Sequence, residues 1–408
     1  MTSACREHGN EHGIVVIGAG HAGGRAIEAL RGAGYGGKLT LIGCEPFRPY
    51  ERPPLSKGVL FDPLPQPQFL QADSYYAAHN VDIRLGVSAV SLDPGRRRID
   101  LSDGRTVHYS QALIATGGRP RRLSQIETGT LPVFYLRDFD DAMRLRQALI
   151  PDRRVVFVGG GVIGLEVASA ARRRQCEVTV LEAADRVMSR VASPAISAWV
   201  ADRHARFGVR IHCGVSITGM RQNAIQLADG RQVIADLLVV GIGITPNVEL
   251  ATGAGIEVAE GILVDDFGRT SAPDVFAAGD VAAQFVPQFA RRIRLETWAN
   301  AQNQAAAVAS NMCGPARPCR DLPWYWTDQQ DFTLQVAGDP LTGVEVLRGD
   351  PADGAFTLFH LRDASIVGAT AVNNRREMAL ARRLVQSMVE VDPAAIADRN
   401  FDLRTALH

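Results

Sequence analysis

Glycines at fixed intervals are the first residues in this 408-residue chain that imply chemistry. Gly18, Gly20 and Gly23 end the run Ile14-Val-Val-Ile, and Gly159, Gly161 and Gly164 end Val155-Val-Phe-Val. Each set reads G-x-G-x-x-G. The first glycine permits a tight turn, the second lets a pyrophosphate reach the backbone, and the third lets a helix pack on a strand. The helix that follows offers free N–H groups to the phosphates. Each unit then continues to an acid. Lys38-Leu-Thr-Leu-Ile-Gly43 leads to Glu45, and Glu177-Val-Thr-Val-Leu181 leads to Glu182. A carboxylate there accepts hydrogen bonds from an adenosine ribose. One isolated motif is a weak signal, but two complete ones imply two nucleotide sites, one for a bound cofactor and one for an exchanging one.

Such glycines work only between a strand and a helix. Helix-compatible stretches do follow, Ala26 to Leu30 after the first motif and Leu165 to Ala171 after the second. Two further strand-to-glycine stretches, Ala112-Leu-Ile-Ala115-Thr116-Gly117-Gly118 and Thr270 to Asp280, flank the second unit. Their order predicts a first domain interrupted by a second. Beyond Cys319 the pattern changes to Trp324-Tyr-Trp326, alternating segments such as Phe356 to Leu361, and a helical Arg376 to Val389. That predicts a third domain of mixed α/β type.

Composition removes several classes of function. Lys plus Arg and Asp plus Glu each number 44, a formal charge of zero, which argues against general affinity for nucleic acid. No apolar run reaches the roughly 18 residues that cross a bilayer. The stretch Met1 to Gly13 is polar and lacks the apolar centre of a signal peptide. Six scattered cysteines (5, 44, 176, 213, 313 and 319) make no disulfide framework. The expectation is a soluble cytoplasmic protein. Only two of its basic residues are lysines, Lys38 and Lys57.

Several stretches together resemble a known family. They are the first glycine motif, Tyr50-Glu-Arg-Pro-Pro-Leu-Ser-Lys57, Ala115-Thr-Gly-Gly118, Gly159-Gly-Gly-Val-Ile-Gly-Leu-Glu166, Val275-Phe-Ala-Ala-Gly-Asp280, Glu296-Thr-Trp298 and Pro323-Trp-Tyr-Trp326. The series resembles the FAD-dependent, NADH-using ferredoxin reductases of bacterial oxygenase systems, of the biphenyl dioxygenase and putidaredoxin reductase type. The resemblance runs from about Ile14 to Leu403. It implies an α/β, glutathione-reductase-like flavoprotein with two dinucleotide-binding domains and a mixed α/β C-terminal domain. The FAD domain would take residues 1–117 and 246–320, the NADH domain 118–245, and the C-terminal domain 321–408.

The resemblance also implies roles. Gly18, Gly20, Ala22 and Gly23 would hold FAD, with Gly279 and Asp280 on its ribityl or pyrophosphate portion. Ala89, Ala115, Thr116, Gly117, Arg137, Thr297 and Trp298 would line the same cofactor, with Pro53 beside it. Arg48 and Arg52 would face the pyrophosphate, where a guanidinium fork suits oxygen anions. Gly159, Gly161, Val162, Ile163, Gly164, Arg190 and Gly241 would hold NADH. Glu182 would accept the 2′-OH of NADH and repel the 2′-phosphate of NADPH, with Arg186 and Arg190 near enough in sequence to permit some NADPH use. Lys57 matches the lysine beside the flavin N5, and Glu166 its ion-pair partner near the nicotinamide. Trp326 matches an aromatic that stacks near the flavin or covers the nicotinamide side, and Glu296 a residue touching the nicotinamide amide.

One position departs from the family. Relatives usually carry Asp or Glu where this chain has Cys44, and the carboxylate comes one residue later at Glu45. Either Glu45 takes the ribose or FAD is held more loosely there. No cysteine lies between Glu45 and Leu60, so thiol chemistry of the disulfide-reductase kind has no thiol to use. No cysteine spacing suits an iron–sulfur cluster, so the electron acceptor is expected to be a separate [2Fe–2S] ferredoxin, Rieske-type or plant-type, that feeds an oxygenase. An arginine-rich face is expected to meet it, drawn from Arg291, Arg292, Arg294, Arg317, Arg320, Arg375 and Arg376. The chain is expected to be a monomer or weak dimer, with no metal, membrane or nucleic-acid partner. Alternatives on the same fold are an NADH oxidase, a rubredoxin reductase, or a signalling flavoprotein like apoptosis-inducing factor.

Overall fold

Short β-branched runs without polar residues make strands that must be covered on both faces. Ile14–Ile17 and, after its first residue, Arg154–Val158 are such strands, and each is the middle strand of a five-stranded parallel sheet. The computed structural model describes residues 12–126 and 131–407. Cys5 and most of the polar N-terminal stretch on which the signal-peptide expectation rests lie outside the described residues.

Two units make up the chain. The first combines the described residues up to Arg52 with Pro67–Arg119 and Thr245–Pro323; the second combines Pro53–Gln66, Pro120–Ile244 and the residues from Trp324 onward.

In the first unit the parallel sheet runs Val275–Ala277, Gln111–Ile114, Ile14–Ile17, Leu39–Ile42, Val81–Arg84. Alternation along the central strand divides the core. Ile14 and Val16 join Leu39, Leu41 and Leu113 under the helices His21–Gly32 and Trp298–Cys313. Val15 and Ile17 join Ile42, Ala112 and Ile114 against the antiparallel meander Ala89–Asp93, Arg98–Leu101, Thr106–His108. The alanines of Trp298–Cys313 let that helix lie close against His21–Gly32. Val275–Ala277, from far along the chain, pairs in parallel with Gln111–Ile114.

The second unit repeats the plan, with the order Val209–His212, Glu177–Leu181, Arg154–Val158, Leu237–Val240, Val133–Phe134, all parallel. It also holds an antiparallel five-stranded sheet of Trp324–Gln329, Phe332–Gly338, Ser365–Val372, Ala355–Arg362 and Val344–Asp350. The helix Arg375–Ser387 covers this sheet with Met378, Ala381, Leu384 and Val385. No helix among the described residues is long and apolar enough to cross a membrane.

Candidate functional site

The first glycine loop turns where an L side chain would not fit. Gly18 has φ +116°, and a Cβ on it would stand 2.2 Å from the Ala115 carbonyl oxygen. A Cβ on Gly23 would stand 1.8 Å from the Gly18 carbonyl oxygen, so the helix sits hard on the strand end. Gly20 is the N-cap of His21–Gly32 and gives no side-chain cap, which leaves the first-turn N–H groups for another acceptor. Nothing crowds Gly20; the nearest group to a Cβ there is the Arg52 guanidinium at 3.8 Å. Residues remote in sequence close in on the loop. Ala115 packs under Gly18, and Gly279 (φ +79°) would bring a Cβ within 2.9 Å of Ala22. Thr116 Oγ1 donates to the Asn247 carbonyl at 2.8 Å, and the Asn247 amide donates back to the Thr116 carbonyl at 2.9 Å.

Beside this loop His21 is 6 % exposed, with its Nδ1 3.5 Å from Glu51 Oε2. Burial, helped by the Arg25 and Arg52 charges, pushes its imidazole down to about 4, so it is neutral at physiological pH. Its ring lies 5.1 Å from that of Trp298, whose Nε1 donates to Glu51 at 2.5 Å. An uncapped helix start, an uncrowded glycine there and an adjacent guanidinium fit a polyanionic cofactor of the FAD type.

The acids and arginines expected here divide. Glu45 accepts from Tyr50 Oη at 2.6 Å and pairs with Arg52, so its carboxylate orients the guanidinium beside Gly20. Arg48 donates to the Gln71 carbonyl and to Asp73 and lies over the Phe69 ring at 3.6 Å, and these contacts hold it to the 69–73 segment. Ala89 opens the meander. Thr297 caps Trp298–Cys313, accepting from Asn300 N at 3.1 Å, while Glu296 is exposed and paired with Arg294 at 2.6 Å. Cys44 is an exposed free thiol.

In the second unit Gly159 (φ +102°) would bring a Cβ within 2.5 Å of the Gly241 carbonyl oxygen, and Gly164 within 2.5 Å of the Gly159 oxygen. Gly161 is again an N-cap without a side chain and has open space where a Cβ would go. Val162 and Ile163 begin the helix, and Ile163 is exposed, an apolar side chain left bare beside the loop. Glu182 is tied to the same loop. Its Oε2 accepts from Gly160 N at 2.5 Å and its Oε1 from Ala184 N at 2.8 Å. The Arg190 guanidinium would lie 3.3 Å from a Cβ on Gly243. Arg186 is committed elsewhere, donating to the Ala192 and Ser189 carbonyls and to Ser197 Oγ.

The same unit contains Pro53, Arg137 and an ionic cluster around a buried carboxylate. Arg137 precedes the helix Phe139–Ala148, its backbone N–H donating to Asp141 at 3.0 Å. Pro53 opens the 3-10 turn Pro53–Ser56, which ends at Lys57. Lys57 Nζ lies 3.2 Å from Glu166 Oε1, 3.3 Å from Asp328 Oδ2 and 5.5 Å from the centre of the Trp326 ring. The Glu166 side chain is 3 % exposed. Such a carboxylate needs several donors, and it also accepts from Ser56 Oγ at 2.5 Å and Thr327 Oγ1 at 2.6 Å. Trp326 stacks on Trp324 at 5.6 Å. The structure brings together Lys57, Glu166 and Trp326, which the sequence reading singled out, with Ser56, Thr327 and Asp328, which it did not. Ser56 adjoins Lys57 and Thr327 adjoins Trp326, but serines, threonines and aspartates in such positions are usually solvated.

The family model for pyridine nucleotide-disulphide oxidoreductases matches residues 12–305, and that of the reductase C-terminal domain matches 324–407. The chain is 41% identical over 393 residues to the ferredoxin–NAD(+) reductase component of the p-cumate 2,3-dioxygenase system of Pseudomonas putida, covering 96% of this chain and 97% of the relative. It is 41% identical over 401 residues to the corresponding component of the biphenyl dioxygenase system of Paraburkholderia xenovorans, covering 97% and 98%. Among solved structures, the covalent complex of putidaredoxin reductase with putidaredoxin superposes with a TM-score of 0.92 at 33% identity, covering 97% of this chain and 98% of that one.

Proposed function

Because the chain belongs to the pyridine nucleotide-disulphide oxidoreductase family, and resembles its ferredoxin–NAD(+) reductases over nearly their whole length, we propose that it is an NADH-dependent ferredoxin reductase feeding an oxygenase. The reaction takes a hydride from NADH, leaving NAD+, and passes its two electrons singly to two molecules of a separate [2Fe–2S] ferredoxin, with release of the proton. FAD, when bound, supplies the centre that accepts a hydride and gives up single electrons.

The chain's own residues divide the work. The uncapped helix start at Gly20 and the Arg52 guanidinium hold the pyrophosphate of the resident dinucleotide. The start at Gly161 holds that of NADH. Glu182, fixed by Gly160 N and Ala184 N, receives the adenosine ribose hydroxyls and disfavours a 2′-phosphate. With Arg186 bound to its own loop, Arg190 is the arginine left to soften that preference. Lys57, held by Glu166 and Asp328, would present a compact ammonium to the reacting ring. Trp326 would stack near the flavin or cover the nicotinamide side.

The observation that carries this reading is the Lys57–Glu166 pair beside Trp326, with Lys57 in a stretch, Glu45 to Leu60, that contains no cysteine. Electrons then leave through a protein partner, and arginines at 291, 292, 317, 320, 375 and 376 supply positive charge for an acidic ferredoxin. The enzyme acts in the cytoplasm, where NADH is supplied, as a monomer or weak dimer.

The test mixes purified protein, FAD, NADH and cytochrome c, with and without a [2Fe–2S] ferredoxin. Reduction that is fast only with ferredoxin is expected. Equal rates without it would make the protein an oxidase or general diaphorase. Raising the salt concentration should slow the ferredoxin-dependent rate, because steering by exposed charge is screened over about 10 Å at 0.1 M; a salt-independent rate would remove the arginine face.

A further inference from the structure

The carboxylate that holds Lys57 ends a buried hydrogen-bond chain whose other members have no assigned role. Thr327 Oγ1 donates to Glu166 at 2.6 Å, Gln329 Nε2 donates to Thr327 Oγ1 at 3.0 Å, and His204 Nε2 lies 2.8 Å from Gln329 Oε1. Gln330 Nε2 lies 3.4 Å from His204 Nδ1. Thr327, Gln329 and His204 are 0 %, 1 % and 0 % exposed. Thr327 and Gln329 share a face of the strand Trp324–Gln329, and His204 lies on the helix Pro194–Arg206.

The donors all run one way. A hydroxyl has a single proton, and Thr327 gives it to Glu166 while its own oxygen accepts from the Gln329 amide. Gln329 presents its amide there because its oxygen is taken by His204 Nε2–H. Burial keeps the imidazole of His204 below the usual range, so it is neutral and carries one ring proton. With that proton on Nδ1, every link would reverse. Gln329 would turn its oxygen to Thr327, and the Thr327 lone pair would then face a carboxylate oxygen at 2.6 Å with no proton between them. The ionic partnership of Glu166 with Lys57 therefore selects the Nε2–H tautomer, and that tautomer in turn fixes the donor on Glu166.

We propose that Gln329 and His204 are positioning residues for hydride acceptance: acting through Thr327, they hold the Glu166 carboxylate, and with it the Lys57 ammonium, in one arrangement. This rests on the reading that Lys57 serves the hydride step.

The test is single-turnover reduction of the FAD-loaded protein by NADH, together with histidine ring ¹⁵N NMR of the apo and loaded forms. Thr327→Val should slow the limiting rate about tenfold at unchanged NADH affinity, as for loss of one hydrogen bond to a charged group. Thr327→Ser, which keeps the hydroxyl, should restore it. Gln329→Glu keeps the shape and the oxygen facing His204 but, ionised, cannot donate, and it should slow the rate to the same extent at a pH where that carboxyl is ionised. Should that protein not retain FAD, Gln329→Met takes its place. Because Gln329 acts only through Thr327, the double variant should be no slower than Thr327→Val alone; rates that multiply would overturn the proposal. NMR should find His204 neutral with its proton on Nε2, and an Nδ1–H tautomer or an imidazolium would overturn it too. If Lys57→Met retains the wild-type rate, the reading of Lys57 fails. If Lys57→Met is slow while Thr327→Val is not, only the present inference fails.

Discussion

Lys57 is one of two lysines among 44 basic residues, and it is the one placed between two carboxylates. A compact ammonium can sit between Glu166 and Asp328 while facing Trp326, a geometry that a planar guanidinium does not reproduce. Lys57→Met should retain FAD and slow flavin bleaching by NADH about tenfold or more, read in stopped flow. It should also destabilise the unit by about 3 kcal/mol or more, because the buried Glu166 loses its cation, an effect read from denaturant unfolding. Glu182 carries two backbone N–H groups besides its expected ribose contact. Glu182→Ala should therefore narrow the ratio of kcat/KM for NADH over NADPH by about tenfold or more. Unaltered values for both cofactors would show that Glu182 is not the ribose acid.

The glycine loops show how one residue type serves two purposes within a single turn. Gly164 lies where a Cβ would meet the Gly159 carbonyl oxygen at 2.5 Å, whereas Gly161 faces open space. Gly164→Ala should push the helix Val162–Arg173 off its strand and lower Tm by several degrees, read by circular dichroism. Gly161→Ala should leave Tm within about a degree and weaken NADH binding, since its methyl group enters the space a pyrophosphate needs. If both variants lose Tm equally, the open space at Gly161 is structural rather than a binding cradle. Each loop is legible in the sequence because its strand, turn and helix follow one another within a few residues. The partners that press on the loops, Ala115 and Gly279 on the first and Gly241 on the second, are legible only through resemblance, because sheet pairing brings them in from far along the chain.

For the molecule as a whole, three buried histidines set a pH response. Burial lowers the imidazoles of His21, to about 4, and of His204 and His360. In the unfolded chain they protonate near 6.5, whereas the folded chain keeps them neutral. As pH falls from 6.5 toward 4 the unfolded state gains protons that the folded state refuses, so stability is lost across that window and is fully present above it. Tm should fall with pH there, and His21→Asn should flatten part of the slope. A His21→Asn slope equal to wild type would show that His21 is not neutral when folded. The zero net charge conceals these local differences, just as it conceals arginine groups whose members serve different ends. Arg292 and Arg294 donate to backbone carbonyls of their own unit, while Arg291 and Arg376 are exposed.

The sequence alone determined the two nucleotide-binding units, because a β-branched run, three glycines and a following acid are local features with local causes. With the resemblance it also pointed to Lys57, Glu166 and Trp326. Tertiary structure decided what surrounds them. Glu45 turns to Tyr50 and Arg52, Arg48 to Phe69, and Arg186 to its own loop, because each charged group takes the nearest partner that burial leaves it. Thr327, Gln329 and His204 gave no signal in the sequence. A threonine and a glutamine on a strand and a histidine on a helix are ordinary residues until the antiparallel sheet and the helix Pro194–Arg206 bring them within 3.0 Å of one another. Hydrogen-bond direction is a property of that packing, and no spacing along the chain encodes it.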